Sequence, residues 1–207
     1  MRFGRWIGVA GAVLYAVGFV LVSSVPGGGD VDASDFEDFY VTDENTALPV
    51  IGLFVLTIGA LGMLWFFHAL RTALGTADGS LGWAAAALGL AVVTTGGSIL
   101  AGPSGVQAFS DADFVGAPVA HAFAQAGFAA MLVPGALALG AGVAMISFAG
   151  RRGGLLVPWV AIAGFVAAGL QLLAFIWIPH FAIPLWVILV GLAGARMTTP
   201  TPAPAIA

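Results

Sequence analysis

The run from Ala117 to Ile178 is apolar almost throughout and is broken once, by Gly150-Arg151-Arg152-Gly153-Gly154. Each side of the break exceeds the ~20 residues that a helix rising ~1.5 Å per residue needs to cross a bilayer. A short turn with two Arg between two such spans stays on the cytoplasmic side, and alternation predicts the remaining topology. The chain of 207 residues is 60% hydrophobic and only 8% charged, where a soluble domain carries about 25% charged residues. The expected fold class is all-α, a polytopic transmembrane helical bundle of about six spans with both termini cytoplasmic.

Spans are expected over residues 6–25, 47–70, 81–101, 118–149, 155–178 and 181–195, forming one bundle within 1–197. A disordered Thr/Pro/Ala tail is expected over 198–207. Arg2 and Arg5 precede the run Trp6 to Val22, which is longer than the ~7–15 residues of a usual signal-peptide core, so a retained first span is expected. All the basic residues are Arg (Arg2, Arg5, Arg71, Arg151, Arg152 and Arg196), and all fall on the side assigned to the cytoplasm.

The outer loop 26–46 is the opposite case, with Asp30, Asp32, Asp35, Glu37, Asp38, Asp43 and Glu44 and no base. Within it, Ser34-Asp35-Phe36-Glu37 has the spacing of a capping box. Phe36, Phe39 and Tyr40 fall on one helical face. That pattern predicts a short helix on the membrane surface or over the mouth of the bundle, with a mobile acidic loop as the alternative.

Pro134, near the middle of the fourth span, predicts a kink. Trp6, Trp83 and Trp159 open the three outward-running spans and are followed by Gly11, Gly89 and Gly164. Three duplicated hairpins would give this pattern. Interfacial Trp and the abundance of Gly in membrane helices also give it, and that is the preferred explanation.

Chemistry is sparse. The chain lacks a phosphate-binding Gly loop, His-Glu-x-x-His and Gly-x-Ser-x-Gly. With no Cys there is no thiol nucleophile, thiolate metal site or disulfide. No Asp, Glu, Lys or Arg interrupts the apolar part of any span, which argues against a proton-driven carrier. The polar residues Thr94, Thr95, Ser98, His121, Gln125, Gln171 and His180 fall in one zone, roughly 5–12 Å below the outer surface at ~1.5 Å per residue. They are the candidate polar pocket, open to the outside. Each also has a purely structural role to play. Thr and Ser bond back to their own helix, Gln joins helices, and His sits at interfaces.

No catalytic residue, cofactor or metal is expected. A divalent ion on His121, His180, Asp111 and Asp113, or haem between His121 and His180, has no spacing signature behind it.

From His121 to Ala195 the chain has a long small-residue span, the stretch Gly150-Arg151-Arg152-Gly153-Gly154-Leu155-Leu156-Val157-Pro158-Trp159, a Gly-rich span and a last span bearing Trp186. In these features it resembles six-span membrane proteins of high-GC bacteria that are grouped only as domains of unknown function. The resemblance implies six spans and carries over no functional residue.

The expected function is that of a multi-pass protein of the cytoplasmic membrane, non-enzymatic, acting through binding or within a membrane complex. The alternative is a small transporter or channel-like protein for a neutral or cationic solute. A haem- or metal-dependent redox protein comes third. The partners expected are the lipid bilayer and a membrane-protein partner or second copy, with no nucleic acid. The topology makes one direct prediction. A Cys replacing Ser110 is labelled by an impermeant thiol reagent from outside the cell, whereas one replacing Gly153 is not; the reverse labelling would overturn the orientation.

Overall fold

The computed structural model describes residues 2–27, 32–41, 43–110 and 115–193. Arg196, the tail at 198–207 and the carboxylates Asp30, Asp111 and Asp113 lie outside them. Every regular element among the described residues is helical. In order they are α1 (Arg2–Val22), α2 (Ala33–Val41), α3 (Asp43–Leu74), α4 (Ala77–Leu100), α5 (Gly102–Ser110), α6 (Ala117–Ala130), α7 (Ala136–Arg152), α8 (Pro158–Leu170) and α9 (Ala182–Leu192). A π-turn, Met131–Gly135, joins α6 to α7, and 3₁₀ segments Gln171–Ile176 and Ile178–Phe181 lie between α8 and α9.

Five segments are long and apolar enough to cross a membrane: Gly4–Val22, Asn45–Leu74, Ala77–Leu100, Ala117–Arg152 and Pro158–Ile176. A further apolar helical stretch, Ile178–Leu192, is shorter. This is an all-α bundle of membrane-protein composition.

Three antiparallel hairpins form a closed ring, α1/α3, α4/α6–α7 and α8/α9. The second arm of each packs on the first arm of the next, and α9 returns to α1. Apolar surroundings give helices no hydrophobic reason to associate, so contact must come from close packing. Glycine supplies it here. A Cβ on Gly59 would fall on the Tyr15 backbone, and one on Gly89 would come within 2.5 Å of the Leu139 amide.

These contacts repeat from the first hairpin to the second. In α1/α3 the facing pairs are Gly4 with Ala69, Gly8 with Phe66, Gly11 with Met63, Tyr15 with Gly59, Gly18 with Leu56 and Val22 with Gly52. In the second hairpin they are Gly82 with Met145, Ala86 with Gly142, Gly89 with Leu139, Val93 with Gly135, Gly96 with Met131 and Leu100 with Gly127. Each α4 residue stands 78 positions after its α1 counterpart, as Gly89 does after Gly11. On the returning arm the offset is 75 at Gly52/Gly127 and Leu56/Met131, and 76 from Gly59/Gly135 onward. The one-residue change falls within the π-turn, whose wider hydrogen-bonding pattern takes in an extra residue per turn. Pro134 therefore marks an insertion that keeps the two hairpins in register. The duplicated-hairpin reading holds for the glycines of the first two Trp/Gly pairs, since Gly11 and Gly89 are equivalent, while Trp6 and Trp83 stand 77 apart and fall out of that register. Gly164 faces Ser147 and Trp186 instead.

The acidic segment does form a helix. Its start differs from the expected Ser34/Glu37 box. Asp35 Oδ2 accepts the Asp32 backbone N–H at 2.9 Å, and the Asp35 N–H donates to the Asp32 carbonyl. Ser34 falls inside the first turn of α2, too late to cap it. Phe36 and Tyr40 are buried under the helix, and Gln107 Nε2 of α5 donates to the Tyr40 carbonyl at 3.0 Å. Together α2 and α5 make a cap over the acidic end of the bundle. Burial raises the Tyr40 phenol pKa, an effect opposed by the neighbouring Ser104 hydroxyl.

Close packing at Gly89 should not tolerate a methyl group. Gly89→Ala is expected to destabilise by ~1–3 kcal/mol through overpacking. Gly169→Ala in α8, where the added methyl meets nothing within 4 Å, should be neutral or slightly stabilising. Unfolding midpoints in detergent would decide, and equal midpoints would rule out a tight α4/α7 contact.

Candidate functional site

The third hairpin breaks the pattern of the other two. Its returning helix α9 has 11 residues, about 17 Å at ~1.5 Å per residue against a hydrocarbon core of ~30 Å. The hairpin tip consequently ends inside the bundle. Its marker is His180, expected at a surface turn but only 1% exposed. The imidazole meets Tyr15, seven residues before the end of α1, which places the tip roughly 10 Å below that end.

Tyr15 Oη lies 2.8 Å from His180 Nε2. Phe19, one turn further along α1, stacks on the imidazole at 4.4 Å between ring centres and 23° between planes. Trp177 turns the chain at the tip with φ 76° and ψ −61°, a strained γ-turn conformation that glycine tolerates best. Its ring is held edge-on to Phe19 at 5.6 Å and tilted on Phe128 at 5.4 Å. Gln171 secures the tip from behind. Its Nε2 donates to the Pro179 carbonyl at 2.9 Å and to the Ala167 carbonyl at 3.1 Å. Gly140 of α7 leaves room for it, since a Cβ there would come within 3.0 Å of the Gln171 side chain.

Two buried polar atoms at this tip have no hydrogen-bond partner: His180 Nδ1 and Gln171 Oε1. A neutral imidazole has one N–H and one lone pair. The Tyr15 hydroxyl can donate to Nε2 or accept from it, so Nδ1 is left as a donor or an acceptor accordingly. Either way a hydrogen-bonding group is unmet in an apolar interior, at a cost of ~1–3 kcal/mol. The arrangement can therefore bind a small polar group.

The seven residues of the expected pocket separate into three places. Thr94 Oγ1 donates to the Leu90 and Ala91 carbonyls and Ser98 Oγ to the Thr94 carbonyl, all within α4, while Thr95 is exposed. His121 is half-buried with its ring edge-on to Phe36 at 5.5 Å, holding α2. Gln125 is exposed and reaches the Gly27 carbonyl at 3.4 Å. Gln171 and His180 alone share one buried cluster, and its remaining members, Tyr15, Phe19 and Trp177, were not anticipated.

Haem between His121 and His180 does not fit this geometry. One ring is bonded to Tyr15 and stacked on Phe19, and the other faces Phe36. Among the described residues no three His, Asp or Glu side chains converge as metal ligands, and Asp111 and Asp113 of the metal alternative lie outside them.

Tyr15→Phe is expected to destabilise by ~1–3 kcal/mol, because it strands the second imidazole nitrogen. Adding His180→Phe should recover much of that loss, since replacing both partners removes the stranded groups. Strictly additive losses in the double variant would show that the two side chains are not coupled.

No protein-family model matches this sequence, and no curated protein or solved structure matches it either.

Proposed function

We propose that the chain is a six-span protein of the cytoplasmic membrane, with its Arg end cytoplasmic, that acts by binding rather than by catalysing a reaction. Arg5, Arg71, Arg151 and Arg152 occupy helix ends on one side of the bundle, and the acidic α2 lies on the other. That separation supports the orientation.

The observation that carries the binding assignment is the pair of unpartnered atoms, His180 Nδ1 and Gln171 Oε1, brought together at one buried hairpin tip. A groove of about 300 Å³ lies alongside, lined by Ala16, Val17, Val20, Leu21 and Phe181. Ala16 and Phe181 are the chain neighbours of Tyr15 and His180. A groove without a polar lining residue suits an uncharged ligand that arrives through the bilayer and offers one hydrogen-bonding group. In a membrane assembly, the polar group of a partner helix is the equivalent occupant. A solute carrier is the second reading, favoured by the exposed carboxylates of α2 over the same end.

The test is native mass spectrometry of the protein gently extracted from its own membrane, beside a His180→Phe variant that keeps the ring stack. A bound mass present in the wild type and lost in the variant is the expected result. Identical spectra, bare or occupied, would overturn a binding role for His180.

A further inference from the structure

We infer that the opposite, Arg-bearing end carries a site for a phospholipid with a primary ammonium headgroup, such as phosphatidylethanolamine. A groove of about 320 Å³ runs between α4, α7 and α8, walled by Leu81, Ala144, Met145, Phe148 and Phe165, with Asp78 at its rim. This is the scale of a small-molecule site, ~300–1,000 Å³. Phe148, Leu81 and Phe165 are 51%, 60% and 38% exposed, so the groove opens sideways to the bilayer.

Charge at the rim selects the headgroup. Gly82 faces Met145 across the antiparallel α4/α7 contact. Asp78, one turn before Gly82, is therefore level with the turn after Met145, where Phe148 lies. Arg151 and Arg152 follow Phe148 by three and four residues, which puts them along its side of α7. Asp78, Arg151 and Arg152 are all exposed, and no ion pair joins them to each other or to another described residue.

An apolar groove with a carboxylate at its rim and two Arg one turn beyond Phe148 on α7, none of the three ion-paired among the described residues, matches acyl chains below a zwitterion. The guanidinium groups take the phosphate and the carboxylate takes the ammonium. A choline headgroup has no N–H to give Asp78, and a glycerol headgroup has no cation. Asp78 also favours the α4 N-terminus electrostatically, and the Arg pair helps to fix topology, but neither role discriminates between headgroups. The groove beside Phe181 has no charged lining residue and so no such preference.

The site rests on the membrane-spanning assignment and not on His180. It is tested in nanodiscs containing phosphatidylethanolamine, phosphatidylcholine and phosphatidylglycerol with identical acyl chains, by native mass spectrometry of the lipids retained on release. The ethanolamine lipid should be retained about three- to tenfold over the others, as one partly exposed charge-assisted hydrogen bond implies. Asp78→Asn should bring that ratio close to one and Asp78→Glu should preserve it. The double variant Arg151→Gln/Arg152→Gln should lower retention of all three lipids together. Wild-type protein without headgroup preference, or Asp78→Asn that keeps it, would overturn the site. Failure to enter any nanodisc would instead remove the membrane assignment on which it rests.

Discussion

Backbone-to-backbone contact between antiparallel helices is the constraint from which the rest of this structure follows. Lipid is as apolar as leucine, so burying side chains gains little there, and helices are held by packing density. Small residues one or two turns apart on α1, α3, α4 and α7 let the axes approach until amides and α-carbons touch, as at Gly11 and Gly62. Because two hairpins use the same ladder, a register error in one arm would put side chains where the other has none. The π-turn at Met131–Gly135 absorbs such an offset. A one-residue insertion that would rotate a continuous α-helix by ~100° is confined to five residues, and the contacts on both sides stay in phase.

A hairpin too short for the frame creates a different problem. Backbone and side-chain polar groups at its tip end among hydrocarbon and aromatic rings, where water cannot reach them. Gln171 answers part of this by bonding to carbonyls on either side of the turn, Ala167 and Pro179. Tyr15 answers another part by bonding to His180. The answer is incomplete, because one imidazole nitrogen and one amide oxygen remain without partners. Together with the backbone conformation of Trp177, this is the kind of local cost that persists where surrounding structure enforces it.

Local chemistry explains what could be read in advance. Span positions follow from composition and length, and Phe36 and Tyr40 give away the buried face of α2. Pro134 announces a departure from the α-helix, but not that the departure adds a residue. That fact exists only in the comparison of Gly52–Gly59 with Gly127–Gly135 across the fold. The Tyr15–His180 bond joins residues 165 apart, and no local pattern encodes it. The Pro179-His180 dipeptide reads as a surface turn because such turns usually are. Its burial follows from the shortness of α9, which is set where the chain leaves the second 3₁₀ segment. Thr94 and Ser98 share a depth with Gln171, yet depth says nothing about helix rotation, and their hydroxyls turn back onto α4.

The repeated hairpins and the short one thus have different roles. In the first two, every small residue of the ladder meets a partner, and their interior polar groups are few. In the third, Gly164 meets the Ser147 hydroxyl and Trp186 instead of a helix backbone, Trp186 Nε1 donates to the Val160 carbonyl, and the tip combines the strained Trp177 backbone with two unpartnered atoms, His180 Nδ1 and Gln171 Oε1. Sites where a sequence departs from its own rule are where function is expected to reside. The departure here spans two arms joined by Trp177, so moving the tip would disturb the Phe19, Phe128 and His180 contacts together. A ligand bonding to Nδ1 would act on the same contacts. Occupancy at His180 would thereby be coupled through Phe19 to α1, the helix that closes the ring.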